Sequence, residues 1–261
     1  MRQTILGASG YIGSQLKAHL ESLGHEVYCP ARGDEAVFQQ DLGQVYYCVG
    51  MTADFRSKPL QTIDAHISLL ARVLKEARFS GLLYLSTTRV YLGAGHGSED
   101  GALLVNPNQA DDLYNLSKLT GESLCRAFAD RQVRVARLSN VLGGSRRSPS
   151  FVDSLLDDIR SKGKIVLRST LDSAKDYIAL DDVVPLLPRI AQEGNHAIYN
   201  VASGVNVSNA ALLEMLAQRY RFTYEVDPAA SRVVFPEIDV SRIEQAFGAR
   251  ARPLAEIAFG E

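Results

Sequence analysis

A tyrosine and a lysine four residues apart are the first pair in this chain whose chemistry would depend on their spacing. Tyr114 and Lys118 fall within a stretch of helical periodicity at residues 111–131, so they share one helix face. Tyrosine has an unperturbed pKa of about 10, and a neighbouring ammonium stabilises the phenolate and lowers that pKa. The pair therefore predicts proton transfer near neutral pH. A tyrosine at the edge of a core beside a solvated lysine would give the same spacing without chemistry.

A cluster of hydroxyl side chains precedes that helix. The apolar stretch at residues 82–85 is followed directly by Ser86, Thr87 and Thr88. Open α/β sheets bind ligands at the carboxyl ends of their strands, so a hydroxyl at this position could hydrogen bond to a reacting oxygen. Serine and threonine also cap strand ends where no ligand binds. A functional interpretation of the cluster is favoured because it follows a glycine-rich turn and precedes the Tyr114 and Lys118 pair along the chain.

That glycine-rich turn occupies residues 7–13, which read GASGYIG. In dinucleotide-binding loops one glycine makes the tight turn, one admits the pyrophosphate and one lets helix and strand pack closely. The N-terminus of the next helix offers free N–H groups and a positive dipole end to phosphates. The turn stands between a predicted strand and a predicted helix, as the motif requires. We therefore expect the cofactor-binding residues to be Gly7, Ser9, Gly10, Tyr11, Ile12 and Gly13; a glycine-rich turn without a ligand is the alternative.

The end of the second predicted strand indicates which dinucleotide binds. No acid follows Cys29 directly, and Arg32 stands where it could meet a 2′-phosphate, so NADP is favoured over NAD. If Arg32 is only a solvated charge, Asp34 would take the role of the acid that binds the ribose. Asp41 and Leu42 come shortly afterwards, and we expect them to reach the adenine edge.

The elements that must position these residues alternate through the first half of the chain. Apolar strands are predicted at residues 4–6, 26–29, 45–49, 82–85 and 133–138, with helices at 11–23, 63–78 and 111–131. This order predicts the α/β class and a Rossmann doubly wound parallel sheet. The alternation fades after about residue 140. We therefore expect an NAD(P)-binding domain at residues 1–140 and a small C-terminal substrate-binding lobe at residues 141–261, interleaved with the end of the sheet.

The bulk composition excludes several other classes of protein. The 261 residues are 46% hydrophobic and 22% charged with a net charge of −2, which gives no basic footprint for nucleic acid. The three cysteines, Cys29, Cys48 and Cys125, lack the spacing of disulfide frameworks or zinc sites. No apolar run approaches the roughly 20 residues of a membrane span, and the first strand begins too early for a signal peptide. We expect a cytoplasmic enzyme with no metal, membrane or nucleic-acid partner.

Taken together, these motifs resemble the extended short-chain dehydrogenase/reductase family, in particular its nucleotide-sugar epimerases, dehydratases and reductases. The resemblance runs over most of the chain. Residues 86–91 resemble the family's Ser-Ser-x-x-Val-Tyr stretch with Thr87 at the catalytic Ser/Thr position, and Tyr114 and Lys118 match its catalytic pair. Further resemblances come from residues 137–143 (RLSNVLG), 175–183 (KDYIALDDV) and 199–204 (YNVASG).

The resemblance implies a role for each site residue. Tyr114 would move the proton, Thr87 would hydrogen bond to the substrate oxygen, and Lys118 would lower the pKa of Tyr114 and anchor the nicotinamide ribose, with Ser86 also at the cofactor. The residues expected at the substrate are Thr88, Asn140, Arg147, Lys175 and Arg232; the two arginines could equally be solvated charges. Relatives often pair through a four-helix bundle that includes the Tyr/Lys helix, so a homodimer is also expected.

Departures from the family narrow the function. The segment before Val45 is short, which predicts that one strand–helix unit is trimmed. Dehydratases have an Asp-Glu pair after the catalytic threonine, whereas this chain has Thr88 and Arg89, which argues against dehydration. Lys175 replaces a phosphate-binding arginine and cannot make a bidentate contact.

The predicted function is hydride transfer at a carbon, C4, of a nucleotide-activated sugar. The cofactor preference and the missing dehydratase pair rank a 4-ketoreductase ahead of an epimerase. One alternative is a carbonyl reductase acting on a small molecule that is not a nucleotide sugar. Another is a non-catalytic NAD(P)-binding sensor, which would be expected to have a damaged Tyr/Lys pair, and the pair here is intact.

Overall fold

The computed structural model describes residues 2–52, 54–144, 150–233 and 235–257. A parallel sheet of six strands forms its centre, flanked by helices on both faces. The strands are β1 (Gln3–Leu6), β2 (Val27–Tyr28), β3 (Gln44–Tyr47), β4 (Gly81–Thr87), β5 (Val133–Leu138), β6 (Asn140–Leu142), β7 (Lys164–Ser169), β8 (Ala174–Ala179), β9 (Ile198–Val201), β10 (Asn206–Ser208) and β11 (Thr223–Ser231). The helices are α1 (Tyr11–Ser22), α2 (Pro59–Ile63), α3 (Leu69–Glu76), α4 (Asp112–Ala127), α5 (Phe151–Lys162), α6 (Leu180–Glu193), α7 (Asn209–Ala217) and α8 (Ser241–Phe247).

The central sheet has the strand order β2-β1-β3-β4-β5-β9. Strands β1, β3 and β4 read as nearly continuous buried segments, as expected where helices cover both faces of a parallel sheet. One hydrophobic cluster joins α1 and α6 to the sheet, and a second joins α3 and α4 to its other face. The prediction of a doubly wound Rossmann sheet is confirmed.

The chain reverses its direction of travel across the sheet between β1 and β3. From β1 it moves outward to β2, then crosses back to β3 on the other side of β1. Such a switch point opens a crevice at the carboxyl ends of the strands, where ligands of α/β proteins bind. The loop at residues 7–10 lies there because it directly follows β1.

The connection from β2 to β3 holds one short 3₁₀ turn, Glu35–Phe38, and no α-helix. This agrees with the prediction that a strand–helix unit is trimmed from this segment. On the other side of the sheet, α2 and α3 are joined by a π-helical segment, Asp64–Ser68. π-Helical turns insert an extra residue and often occur at functional sites.

The second half of the chain contributes to two regions. β9 is the sixth strand of the central sheet, and α6 packs across it with Val183, Leu187 and Ile190 buried. The remaining elements form a smaller region in which β8 pairs with β6 and β10, and β7 pairs with β11. The division at residues 140/141 stays a prediction. Within the residues described, no helix combines the length and apolar character needed to cross a membrane.

Candidate functional site

The turn after β1 is shaped by its glycines. Gly7 has a φ of +89°, and a Cβ placed on it would lie 2.9 Å from the backbone of Cys48. A Cβ on Gly13 would lie 2.3 Å from the carbonyl oxygen of Gly7, so only glycine allows α1 to start this close to β1. Gly10 N donates to Gly7 O at 3.0 Å and begins α1 without a capping side chain. The N–H groups at this helix end and the close backbone fit the pyrophosphate of a dinucleotide.

Two further residues of this turn are half-buried. The Tyr11 hydroxyl donates a hydrogen bond to the carbonyl of Gly143, and Ile12 packs against the core cluster that contains Leu16. Burial raises the pKa of Tyr11, so its hydroxyl keeps its proton. Ser9 is exposed at the tip of the turn. Gly7, Ser9, Gly10 and Gly13 therefore present backbone to the crevice, whereas Tyr11 and Ile12 fasten the turn to the protein.

Arg32 and Asp34 follow β2 at the same edge of the sheet. Asp34 caps the 3₁₀ turn: its Oδ1 accepts from Ala36 N at 3.0 Å, and its Oδ2 accepts from the Tyr28 hydroxyl at 3.1 Å. Arg32 is exposed and has no hydrogen bond or ion pair with any residue that the structure describes. Asp34 is engaged in holding the loop, so Arg32 is the freer of the two to contact a cofactor ribose.

Asp41 and Leu42 do not lie at this edge. Both precede β3, and Asp41 bridges to Arg78, which precedes β4. Leu42 is fully buried, and its carbonyl accepts from the Thr4 hydroxyl at 2.6 Å. In a parallel sheet the amino ends of all strands share one edge, opposite the carboxyl ends. The expectation that these two residues reach the adenine is therefore wrong.

Ser86 lies inside the protein at the end of β4. Its hydroxyl donates to the Glu122 carboxylate, which also forms a buried ion pair with Arg137 at 2.6 Å. Arg137 in turn donates to the Tyr91 hydroxyl at 2.7 Å. This network joins β4, β5 and α4 below the crevice. The Ser86 hydroxyl serves this network in the structure, so its expected place at the cofactor stays a prediction.

Tyr114 lies at the start of α4 with its hydroxyl beside two threonines. Thr52, the charge of Arg89 and Thr87 each act to lower the pKa of this hydroxyl. Burial of the phenol outweighs all three effects, so the net shift of the Tyr114 pKa is upward. The Phe55 ring packs against it with the ring centroids 5.4 Å apart. The structure thus brings the predicted pair Tyr114 and Thr87 close together.

Lys118 is buried one turn further along α4. Its Nζ donates to the carbonyl oxygen of Leu85 at 2.9 Å, and burial lowers its pKa to about 8 against the opposing charge of Glu122. A Cβ on Gly50 would lie 3.5 Å from this Nζ, so the turn after β3 passes close to the ammonium. The expectation that Lys118 lowers the pKa of Tyr114 stays a prediction, and the charge of Arg89 acts in the same direction.

His66 is a site residue that the sequence analysis missed. It is fully buried in the π-helical segment, and its Nε2 accepts from Met51 N at 3.0 Å. Its Nδ1 therefore donates to the Ser117 hydroxyl at 2.7 Å. Burial and the charge of Lys118 lower the pKa of His66 to about 3, so it is neutral. His66 holds the turn at Gly50 and Met51 against α4. No short-range pattern in the sequence predicts this role.

A cleft of about 290 Å³ opens beyond Thr87 at the carboxyl edge. We call it the carboxyl-edge cleft. The residues that line it include Arg56, Thr87, Thr88, Arg89, Asp111, Ser139, Asn140, Lys175, Asp176 and Phe235. Thr88, Asn140 and Lys175 are thus brought together as the sequence predicted. The amide of Asn140 donates to the Asp176 carbonyl at 2.8 Å, and the Lys175 ammonium lies 4.4 Å from the centroid of the Phe151 ring.

Of the two remaining arginines, Arg232 is the one that the structure describes. Arg232 is exposed and pairs with Asp172 at 2.6 Å, outside the residues that line the cleft. The expected substrate contact by Arg232 stays a prediction. Arg147 lies outside the described residues. The cleft instead contains Arg56 and Arg89, which sequence reasoning did not assign to the substrate; the signal available was the position of Arg89 two residues after Thr87.

Comparison with known proteins agrees with this architecture. A family model described as the NAD dependent epimerase/dehydratase family matches residues 4–202. Among solved structures, MoeE5 in complex with UDP-glucose and NAD has a TM-score of 0.82 at 21% identity, covering 98% of this chain and 95% of that chain. TunA, an NAD-dependent NDP-hexosamine 5,6-dehydratase involved in tunicamycin biosynthesis, has a TM-score of 0.81 at 20% identity, covering 98% and 94%.

A third structure, RMD from Pseudomonas aeruginosa complexed with NADPH, has a TM-score of 0.76 at 22% identity and covers 97% of this chain and 94% of that chain. No curated protein matches the sequence. At these identities the solved structures establish the fold, and the family model establishes the relationship. The chain belongs to the NAD dependent epimerase/dehydratase family.

Proposed function

We propose that this chain is a nicotinamide-dependent enzyme that transfers hydride at C4 of a nucleotide-activated sugar, as a 4-ketoreductase ahead of an epimerase. The observation that carries this proposal is the buried Tyr114 phenol close to Thr87, a residue that lines the carboxyl-edge cleft. The turn after β3 links this pair to the glycine turn, because Cys48 touches Gly7 and Gly50 lies beside Lys118. A proton-transfer site thus stands next to a dinucleotide-binding turn.

Each residue has a definite task in this proposal. A nicotinamide dinucleotide, when bound, supplies or accepts the hydride. Tyr114 gives its proton to the sugar oxygen on reduction or takes it on oxidation, and Thr87 hydrogen bonds to that oxygen. The Lys118 ammonium, fixed by the Leu85 carbonyl, would hold the nicotinamide ribose. The backbone at Gly7, Gly10 and Gly13 would bind the pyrophosphate.

The electrostatics of Tyr114 favour the reductase. Burial raises the pKa of Tyr114, so the phenol is protonated at neutral pH. A protonated phenol is ready to donate to the oxygen of a keto sugar, whereas an epimerase must first remove a proton from a hydroxyl. The exposed Arg32 supports NADPH as the reductant, since Asp34 is engaged in capping its own turn.

The carboxylates of the cleft argue against dehydration. Asp111 is held by Arg56 through two contacts of 2.5 Å, and Asp176 accepts from Ser139 and from Ser203. Neither is free to act as an acid or base on a sugar. The solved relatives bound to UDP-glucose with NAD, and to NADPH, support a nucleotide-sugar substrate and a nicotinamide cofactor.

One observation favours a second candidate, a carbonyl reductase acting on a small molecule. Arg232 pairs with Asp172 and is not among the residues that line the cleft, and Lys175 offers a point charge where an arginine could bind a diphosphate through two hydrogen bonds. Reduction of simple ketones or aldehydes, with no response to added nucleotide diphosphates, would support this candidate over the nucleotide-sugar enzyme.

The catalytic role is tested by Tyr114→Phe. We expect dinucleotide binding to be unchanged and turnover to fall by about 10²–10⁴-fold, because the proton donor is lost. Tyr47→Phe is the matched control: this buried hydroxyl donates to the Ala65 carbonyl at 2.6 Å and lies outside the cleft, so turnover should persist. Full turnover in Tyr114→Phe would contradict the assignment.

The reductase and epimerase readings are separated by the cofactor. Mass spectrometry of small molecules released from the denatured protein would reveal stoichiometric NAD if the enzyme regenerates its cofactor in every turnover. A protein without bound nucleotide that then titrates more tightly with NADPH than with NADH would support the reductase. Failure to bind any nicotinamide nucleotide would contradict the proposed function as a whole.

A further inference from the structure

Arg89 is a cation of the candidate site, and the proposed mechanism assigns it no contact with the substrate. It follows Thr87 by two residues, and its guanidinium carbon lies 6.0 Å from the centroid of the Tyr114 ring. Its Nε is buried without a hydrogen-bond partner. Among the residues that the structure describes, the guanidinium forms no hydrogen bond and no ion pair. Desolvating such a donor without a partner is costly, so a buried Nε of this kind indicates a missing acceptor.

The charges around Arg89 indicate that the missing hydrogen-bond acceptor is an anion. The charge of Arg89 contributes to the lowered pKa of Asp111, but both oxygens of Asp111 are bound by Arg56. Arg89 also acts on the second cation of the cleft, Lys175. Burial is the larger cause of the lowered pKa of Lys175, and the charge of Arg89 is the smaller one. Arg89 and Lys175 thus line one cleft whose two carboxylates, those of Asp111 and Asp176, are already engaged by Arg56 and by two serines. This arrangement favours a ligand with more than one negative group.

The two cations occupy different places relative to the chemistry. Arg89 lies on the turn capped by Thr87 and borders Tyr114. In the proposed function, Tyr114 exchanges a proton with the oxygen on C4, so Arg89 would lie close to that carbon. Lys175 lies on β8, with its ammonium over the Phe151 ring. In a hexose ring, C5 is the neighbour of C4 and carries the exocyclic C6. A group beside the C4 chemistry is thus within reach of the C6 substituent.

We propose that Arg89 binds a carboxylate at C6 of the sugar, so that the substrate is a nucleotide-linked uronic acid rather than a neutral hexose. This inference rests on the proposed function and specifies its substrate class. A planar guanidinium can pair with both oxygens of a carboxylate, which satisfies the buried Nε and a second N–H together. Lys175 then serves the diphosphate end of the same ligand.

The test compares ligands that differ only in the oxidation state of C6. The probes are UDP-glucose with UDP-glucuronate, dTDP-glucose with dTDP-glucuronate, and GDP-mannose with GDP-mannuronate. Each is titrated by calorimetry into the protein saturated with NADP⁺ and, separately, with NAD⁺. We expect the wild-type protein to bind one uronate at least about tenfold more tightly than its neutral partner, as a charge-assisted pair provides.

Arg89→Met should abolish that preference and leave the affinity for the neutral sugar nearly unchanged. Arg89→Lys, which keeps the charge but not the fork, should retain part of the preference and covers the case in which Arg89→Met does not fold. Lys175→Gln is the matched control: it should weaken both members of the pair equally and leave their ratio unchanged.

The outcomes separate the two levels of the proposal. Equal binding of uronate and neutral sugar by the wild-type protein, or a preference that survives Arg89→Met, overturns the carboxylate site while leaving the nucleotide-sugar function intact. A preference lost only in Lys175→Gln overturns its assignment to Arg89. If none of the six sugars binds, and UDP, dTDP and GDP do not bind either, the nucleotide-sugar function itself fails.

Discussion

Lys118 is a residue whose proposed chemical function comes at a cost in stability of the folded protein. Its ammonium is buried with one carbonyl partner, and burial lowers its pKa from 10.5 to about 8. A folded-state pKa below the unfolded value means that the charged form is destabilised by folding. The cost is fully present below pH 8 and disappears as the pH rises through the window between about 8 and 10.5. A residue retained at such a cost is expected where function requires the charge.

We therefore expect Lys118→Met to raise the free energy of unfolding by about 1–3 kcal/mol at pH 7 while turnover is lost. Urea unfolding of both proteins at pH 7 and pH 9.5 measures this. The gain should be smaller at pH 9.5, because the wild-type lysine is then already partly neutral in both states. A destabilised variant at pH 7 would show that the contact with the Leu85 carbonyl outweighs the burial of charge.

Arg32 carries the prediction of cofactor preference. Its exposed side chain follows β2, whereas Asp34 accepts from Ala36 N and from the Tyr28 hydroxyl. We expect Arg32→Gln to weaken NADPH binding by roughly 10-fold to 100-fold and to leave NADH binding nearly unchanged, because only the 2′-phosphate contact is removed. Fluorescence titration with both nucleotides provides the ratio.

Asp34→Asn is the control for this pair of measurements. The amide oxygen of asparagine can still accept from Ala36 N, so the turn should persist and both nucleotides should bind as before. If Asp34→Asn instead weakens NADH strongly, Asp34 binds the ribose and the enzyme prefers NAD.

At the scale of elements, the glycine turn is the part of the site that its sequence predicted most completely. Gly7 and Gly13 are required by local geometry that a strand–turn–helix pattern already implies. The strand at residues 133–138 was predicted with its observed bounds, although its sequence, VRVARL, contains two arginines. Tyr114 and Lys118 share a helix face, which follows from spacing alone.

Other elements depended on contacts that spacing does not encode. Asp41 was predicted at the carboxyl edge of the sheet, but it lies at the amino edge. The length of the β2–β3 connection does not reveal at which residue the chain has returned to the amino edge. His66 and Ser117 are 51 residues apart and meet only through the packing of the π-helical segment on α4. The opposite case is Arg232, where sequence position suggested the cleft and tertiary structure pairs it with Asp172 at the surface.

The glycine turn also yields a prediction about an element. A Cβ on Gly13 would lie 2.3 Å from the Gly7 carbonyl, so Gly13→Ala must push α1 away from β1. We expect the free energy of unfolding to fall by about 1–3 kcal/mol and dinucleotide binding to be lost with it. Gly95→Ala is the control, because a Cβ there meets no atom within 4 Å. Unchanged binding in Gly13→Ala would contradict the role of this turn.

At the scale of the whole molecule, we propose that the chain forms a homodimer through α4 and the neighbouring α2–α3 segment. The buried face of α4 carries Tyr114 and Lys118, while Thr120 and Ser123 are exposed on its other side. Leu60 on α2 is 76% exposed, the highest value among the large hydrophobic side chains that the structure describes. Two such segments from each protomer would make the four-helix bundle that the family resemblance implies.

Light scattering after size exclusion tests this assembly, and the expected mass is twice that of the 28.5 kDa chain. Ser123→Arg places a bulky charge on the exposed face of α4, where two copies would bring like charges together, so we expect it to yield the monomer at micromolar concentration. Gln218→Arg adds the same charge at the exposed end of α7, away from the bundle, and should remain dimeric. Contacts in the dimer would also stabilise α4, which carries Tyr114 and Lys118. We therefore expect the Ser123→Arg monomer to unfold at a lower temperature than the wild-type dimer. On dilution, the turnover of the monomer should fall less steeply than that of the wild-type dimer. A wild-type protein that is monomeric at micromolar concentration, or a Ser123→Arg protein that stays dimeric, would show that this helix face is not the interface.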